Sequence, residues 1–239
     1  MLYLIGLGLN SESISKEGLE ALSKCKRIYL ETYTVNFPYS EGELKQELNK
    51  KIIPVDREFV ESMKLIDESK KMNVALLIYG SPLTATTHIS LIQEAKMSDI
   101  KYKIIYNASV LDAVAETGLQ LYKFGKVASM PKWDIKKNFI PDSFMEIVKE
   151  NMSINAHSLI LIDIGLEFSD ALDQLEKASK NHNIKLKKII LCRELGTKSK
   201  RIYYGSPADL ENKRIVSPYC IIIPSKLHFL EKEILETFS

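Results

Sequence analysis

Short apolar runs, each closed by glycine, proline or small polar residues, alternate along this chain with stretches whose apolar positions recur at helical spacing. Leu2-Tyr3-Leu4-Ile5 ends at Gly6-Leu7-Gly8-Leu9, and the next segment sets Ile14, Gly18, Leu19 and Leu22 on one helical face behind Ser15, an N-cap residue. Arg27-Ile28-Tyr29-Leu30-Glu31 reads as a second strand, residues 41–49 as a helix, Ile52-Ile53-Pro54-Val55 as a third strand and residues 58–71 as one amphipathic helix. Residues 74–79 form strand four, residues 90–96 belong to a helix, and Lys103-Ile104-Ile105-Tyr106 is strand five. Strands that are apolar on both faces are buried on both sides, which is the habit of α/β units. The fold class is therefore α/β, with a first domain over residues 1–108.

Residues 109–124 read as a helix with Val110, Ala113, Val114, Leu121 and Tyr122 on its apolar side. They open a second, different α/β domain over residues 109–239, with strands at 127–130, 158–164, 188–192 and 219–223 and helices at 144–151, 171–181 and 229–238. A chain of 239 residues accommodates two such domains. Tyr-Gly-Ser-Pro occurs at 79–82 and again at 204–207, but in different surroundings, so the second copy reads as a turn and not as a repeat.

The net charge of +2 leaves no electrostatic footprint for general nucleic-acid binding, and the basic clusters at 185–188 and 198–201 read as solvated faces. Three cysteines without CxxC spacing argue against a disulfide framework and a zinc site, and for a reducing, cytoplasmic setting. No apolar run approaches the roughly 18 residues of a membrane helix.

Gly6-Leu7-Gly8 lacks the third glycine of a dinucleotide fingerprint, since Ser11 stands there, and Glu31 runs into the polar Thr32-Tyr33-Thr34. The pair is either a strand-to-loop turn or a place where a ligand approaches the backbone. Tyr79-Gly80-Ser81-Pro82-Leu83-Thr84-Ala85-Thr86-Thr87-His88 closes strand four at the end where open α/β sheets bind ligands. Its threonines supply donors, with Thr86 or Thr87 as a helix cap. His88 is a ligand, an acid/base or a helix-start residue; His228 follows a buried strand in a loop open to a cleft; His157 and His182 read as surface or segment-boundary residues. Asp163, at the end of an apolar run, needs either a functional partner or backbone amides to cap. No HxxxH spacing or Ser/His/Asp signature favours a metalloenzyme or a hydrolase.

Several stretches together resemble the diphthine synthase family within the tetrapyrrole methylase superfamily. They are residues 2–9, Gly18-Leu19-Glu20-Ala21-Leu22 with Cys25, Ala85-Thr86-Thr87-His88, residues 117–126, His157-Ser158-Leu159 leading to Asp163-Ile164, and Pro224-Ser225-Lys226-Leu227-His228 followed by Glu231. The resemblance implies two α/β domains with a cofactor cleft between them in a homodimer. It implies methyl transfer from S-adenosyl-L-methionine, yielding S-adenosyl-L-homocysteine, to the modified histidine of translation elongation factor 2. Cofactor contacts carried over by the resemblance are Leu9, Ser81, Thr84, Ser109, Val110, Ile162, Glu194 and His228, with no catalytic side chain and no metal. Ser81 departs from the family, which has Gly-Asp-Pro where this chain has Gly-Ser-Pro. Another methyltransferase of the superfamily and a non-catalytic factor-binding protein are the alternative readings.

Overall fold

The structure, a computed structural model, describes residues 1–239. The chain divides into two compact units, Met1–Leu111 and Asp112–Ser239.

The first unit runs β1 (Leu2–Gly6), α1 (Lys16–Ser23), β2 (Arg27–Glu31), α2 (Glu41–Leu48), β3 (Ile53–Val55), α3 (Arg57–Glu61), α4 (Lys64–Lys71), β4 (Val74–Ile78), α5 (Ile89–Met97) and β5 (Tyr102–Ile105). All strand pairs are parallel, in the order β3-β2-β4-β1-β5. The two-residue period of a strand explains why β1 and β4 are apolar throughout. Leu2, Leu4, Leu76 and Ile78 pack with Leu65, Ile66, Leu91 and Ala95 from α4 and α5 on one face. Tyr3, Ile5, Ala75 and Leu77 pack with Ala21, Leu22, Leu44 and Leu48 from α1 and α2 on the other. Each fully buried Leu or Ile contributes about 1.5–3 kcal/mol, so these two strands anchor the unit. Ser15 caps α1 as expected, its Oγ accepting from the Gly18 amide at 3.0 Å. The single helix expected over 58–71 is interrupted: Ser62 is extended (φ −82°, ψ 164°) and its hydroxyl donates to the Phe59 carbonyl at 2.6 Å. A serine that bonds its own backbone offers the chain an alternative to the helix.

The unit boundary falls inside α6 (Val110–Ala113), which is followed by a 3-10 turn over Val114–Thr117. The second unit then adds β6 (Ala128–Met130), α7 (Phe144–Ser153), β7 (Ser158–Ile162), α8 (Phe168–Asn181), β8 (Ile189–Arg193), β9 (Arg201–Gly205), α9 (Pro207–Leu210), β10 (Tyr219–Ile223) and α10 (Phe229–Glu236). Its sheet has the order β6-β7-β10-β8-β9, parallel only between β6 and β7. Phe144, Val148, Ala171, Leu175, Ile189, Leu191 and Ile221 lie in its core.

Residues 109–124 are not one helix. Gly118 turns left-handed (φ +83°), Ile234 occupies the space its side chain would need, and the Gln120 amide donates to Glu231. Leu121 and Tyr122, expected on an apolar face, are consequently 44% and 81% exposed. Strand β9 went unread because its charged flank resembles a solvated loop. The second Tyr-Gly-Ser-Pro is a strand-to-helix junction in which Ser206 caps α9 and Pro207 is its first residue. No helix is long and apolar enough to cross a membrane.

Candidate functional site

In a fully parallel sheet every strand ends on the same side, so the loops after β1, β2, β4 and β5 are neighbours by construction. Beyond the regular strands, Gly8 and Gly80 pair with each other: the Gly8 amide donates to Gly80 O at 3.1 Å and the Gly80 amide to Gly8 O at 2.9 Å. Both residues have positive φ, +73° and +68°, where glycine is the unstrained choice. A Cβ on Gly6 would lie 2.6 Å from Gly80 O and 3.0 Å from Pro82 Cδ, and one on Gly8 would lie 2.5 Å from Ser13 Cβ. The Gly-x-Gly pair therefore serves the close approach of two strand ends; protein atoms fill the space next to it. Gly80 is different, because a Cβ there would meet Ser109 Cα only at 3.6 Å, an ordinary contact.

Leu9, Ser81 and Ser109 are thus brought to one end of the first sheet. Tyr79 Oη donates to Leu9 O at 3.2 Å, and Asn107 Nδ2 donates to Gly6 O at 3.1 Å and Ser13 O at 2.9 Å. Ser81 is buried, and its carbonyl accepts from the amide of half-buried Thr84 at 3.1 Å. Val110, half-buried, follows buried Ser109.

Two polar ties fix the loop after β4 to the loop after β2. The fully buried Glu31 carboxylate accepts from the amides of Tyr33 (3.4 Å), Thr34 (3.2 Å) and Tyr79 and from the Thr34 hydroxyl. Burial raises its pKa, against the opposing pull of those bonds. His88 Nδ1 lies 3.2 Å from Pro82 O, an acceptor only, so Nδ1 carries the proton and Nε2 accepts from Tyr33 Oη at 3.3 Å. Burial lowers the His88 pKa and keeps the ring neutral. His88 stands immediately before α5, and its ring ties the loop after β4 to Tyr33 in the loop after β2. Neither Thr86 nor Thr87 caps α5 by its side chain: the Thr86 hydroxyl turns back to Pro82 O at 2.8 Å, and α5 starts at His88 without a side-chain cap.

In the second unit, Ile162 ends β7 half-buried, and Glu194 follows β8 in a left-handed conformation (φ +50°). The Glu194 carboxylate is taken up by its neighbour Arg193, with Nε at 3.0 Å and Nη2 at 2.6 Å. The Glu194 amide donates to Pro218 O, so Ile162 and Glu194 lie where β10 begins. His228 lies beyond the end of β10, at the end of the sheet where β7 starts, whereas Ile162 ends β7. Within this unit the sheet does not bring the three residues together. His228 is exposed and is the N-cap of α10, its Nδ1 accepting from the Leu230 amide at 3.4 Å.

His157 precedes β7, but it is not a surface residue: it is fully buried. Its Nδ1 accepts from the Ser225 amide at 3.0 Å, which leaves the proton on Nε2 for Glu231 Oε1 at 3.3 Å. Burial lowers the His157 pKa, with Glu231 opposing. Glu231, 1% exposed, also accepts from the amides of Gln120 (3.1 Å) and His228 (2.7 Å) and from Lys123 Nζ, which reaches Lys226 O at 3.0 Å as well. Burial by itself would raise this carboxyl, yet Lys123 and the two amides hold it at about 2. His228 and Glu231 close the start of α10 as a capping box, and the other partners of the carboxylate, at 120, 123 and 157, come from distant parts of the sequence. Asp163 is exposed and caps backbone, its Oδ2 accepting from the Lys132 amide at 3.1 Å. His182 is half-buried 3.3 Å from Asp142.

A family model described as Tetrapyrrole (Corrin/Porphyrin) Methylases matches residues 1–211. An Arabidopsis thaliana protein named "Probable diphthine methyl ester synthase" is 33% identical over 273 residues, covering 100% of this chain and 98% of the relative. The "Diphthine synthase" of Methanococcus maripaludis is 36% identical over 251 residues, with 99% of this chain and 98% of the relative covered. A solved structure titled as diphthine synthase superposes with a TM-score of 0.90 at 30% identity, covering 100% of this chain and 95% of the other.

Proposed function

The chain belongs to the tetrapyrrole methylase family, as a methyltransferase of its diphthine synthase branch, and from that premise we propose that it methylates the modified histidine side chain of translation elongation factor 2, with S-adenosyl-L-methionine as donor. The observation that carries this reading is the meeting of the Leu9, Ser81 and Ser109 loops at one end of the first sheet, around the Gly8–Gly80 pair. Buried Leu9 and half-buried Val110 offer apolar contact, Ser81, Thr84 and Ser109 offer hydroxyls, and Gly80 leaves its backbone unshielded by a side chain. That donor set fits an adenosyl group and its polar tail. Bound there, the cofactor would supply an electrophilic sulfonium methyl with a neutral thioether as leaving group.

Such a displacement needs no enzyme nucleophile, and positioning supplies most of the rate. The chain's residues accordingly act by holding shape. Tyr79 fixes the Leu9 carbonyl, Asn107 ties the loop after β5 to β1, and Glu31 and His88 lock the loop after β4. The test is incubation with labelled S-adenosyl-L-methionine and the factor carrying the unmethylated diphthamide intermediate: label moves to the factor, and its absence with intact intermediate rejects the reading.

Ser81 sets the affinity of this site. A carboxylate there would face the cationic cofactor, and a charged hydrogen-bond partner is worth about 1 kcal/mol more than a neutral one. Ser81→Asp is expected to tighten S-adenosyl-L-methionine binding roughly fivefold by calorimetry. The neutral product should gain less. Equal affinity of the variant and the parent would remove Ser81 from the cofactor site.

A further inference from the structure

Ala85-Thr86-Thr87-His88 closes the loop that carries Ser81 and Thr84, and two of its side chains converge on one backbone atom. The Pro82 carbonyl accepts from the Thr86 hydroxyl at 2.8 Å and from His88 Nδ1 at 3.2 Å. Between Pro82 and these donors the chain bends at Ala85, whose φ of +55° is a left-handed conformation that alanine adopts only at a cost. The two bonds to Pro82 hold that bend, with Thr84 inside it and Ser81 next to it, joined by the Thr84 amide to Ser81 O at 3.1 Å.

The hold continues beyond the loop. His88 is 1% exposed, and its Nε2 accepts from Tyr33 Oη at 3.3 Å, the two rings standing edge to face. Thr87 hydrogen-bonds the same Tyr33 oxygen. Tyr33 belongs to the loop after β2, the strand beside β4, and its ring packs on the core of that face with the Arg57 guanidinium 5.3 Å from its centroid. A tyrosine fixed from the sheet side therefore reaches the cofactor loop through one histidine.

This relay works in one protonation state. Pro82 O is an acceptor only, so Nδ1 must carry a hydrogen, and Nε2 accepts from Tyr33 only while it carries none. A proton there turns the acceptor into a donor and puts a charge on a buried ring. Burial opposes that charge more strongly than the Pro82 carbonyl favours it. The charged groups around the pair, Glu31, Glu61 and Arg57, act on Tyr33, and Glu31 is already taken up by the amides of Tyr33, Thr34 and Tyr79.

We propose that Tyr33 is a positioning residue for the cofactor loop and that, acting through His88, it makes cofactor binding compete with a proton at His88 Nε2. The inference rests on the cofactor reading above and adds the regulation of that site. The closed loop takes the cofactor and excludes the proton, so each weakens the binding of the other by the same factor. Cofactor affinity is complete above the ordinary histidine value of 6.5 and declines as the pH falls below it.

Tyr33→Phe deletes the hydroxyl and keeps the packed ring. At neutral pH it should bind S-adenosyl-L-homocysteine about fivefold more weakly than the parent by calorimetry, the equivalent of one neutral hydrogen bond. The pH profile of that affinity is the readout that a merely structural role would leave unmoved. One pH unit below 6.5 the parent should have lost about threefold or more. His88→Asn keeps a donor for Pro82 O and does not titrate, so its profile should stay flat, and the decline in Tyr33→Phe should be shallower than the parent's. A parent that binds with a profile as flat as that of His88→Asn, or Tyr33→Phe binding as tightly as the parent, overturns the latch and leaves the cofactor reading intact. A parent that binds neither S-adenosyl-L-methionine nor its product rejects the cofactor reading, and the latch with it.

Discussion

Replacing Glu231 by alanine is expected to lower the stability of the second unit by about 3–5 kcal/mol, the cost of removing one partner from a buried charge network. The carboxylate joins three segments that are far apart in sequence: the turn at Gln120 and Lys123, His157 before β7, and the amide of His228 at the start of α10. Without it the Lys123 ammonium loses its anion, and the buried His157 Nε2–H loses its acceptor. The sign of the pH dependence follows from the depressed pKa. Glu231 is held at about 2 against 4.5 for an unperturbed glutamate, so its contribution is complete above pH 4.5 and is lost as pH falls from there through 2. Glu231→Gln keeps the shape and should flatten this acid limb in urea unfolding measured as a function of pH. His88 and His157, both lowered by burial, add stability that is present above their ordinary value of 6.5 and fades below it; Glu231→Gln leaves the His88 part as it is and removes the carboxylate that opposes the lowering of His157, so the His157 part grows in the variant. An acid limb in Glu231→Gln as steep as the parent's would show that the carboxylate is not the titrating group.

Gly6→Ala should have the second largest effect. The new methyl would lie 2.6 Å from Gly80 O, a backbone atom that already accepts from the Gly8 amide, and 3.0 Å from Asn107 Cβ and Pro82 Cδ. Backbone cannot rotate away as a side chain can, so β1 and β4 must separate at their ends. Overpacking of this kind costs about 1–3 kcal/mol. The Gly8–Gly80 pair, Ser81 and the Leu9 carbonyl move with it, so cofactor affinity should fall more than tenfold while the far ends of the same strands keep their protection in hydrogen exchange. Ala at Gly42, which meets only Ser40 Oγ at 3.6 Å, is the control and should leave binding unchanged.

How much of this was legible beforehand depended on how local each cause is. The runs at β1 and β4 declared themselves because both faces of each are buried, and Ser15 declared α1 because a cap acts within three residues. The break at Ser62 is equally local, but apolar spacing on both sides concealed it. Residues 109–124 failed as a helix for a distant reason: Ile234 fills the space at Gly118, and Glu231, 111 residues from Gln120, takes that amide. Strand β9 was hidden by its charged flank. At the site, parallel topology made the convergence of Leu9, Ser81 and Ser109 foreseeable, whereas the cause of the glycines was not, because nothing in Gly-x-Gly tells a ligand from a neighbouring carbonyl. His157 stands at a segment boundary, one of its two expected placements, but its burial was not foreseen, since its partners, Ser225 and Glu231, lie 68 and 74 residues away.

Mass spectrometry of elongation factor 2, taken after reaction with the purified protein and S-adenosyl-L-methionine, bears most directly on the central claim. The factor should gain whole methyl increments confined to the peptide that carries the modified histidine, with S-adenosyl-L-homocysteine formed in equal number, and the increments should diminish in Gly6→Ala. An unmodified factor whose diphthamide intermediate is demonstrably present, or methyl groups on any other peptide, would contradict the account.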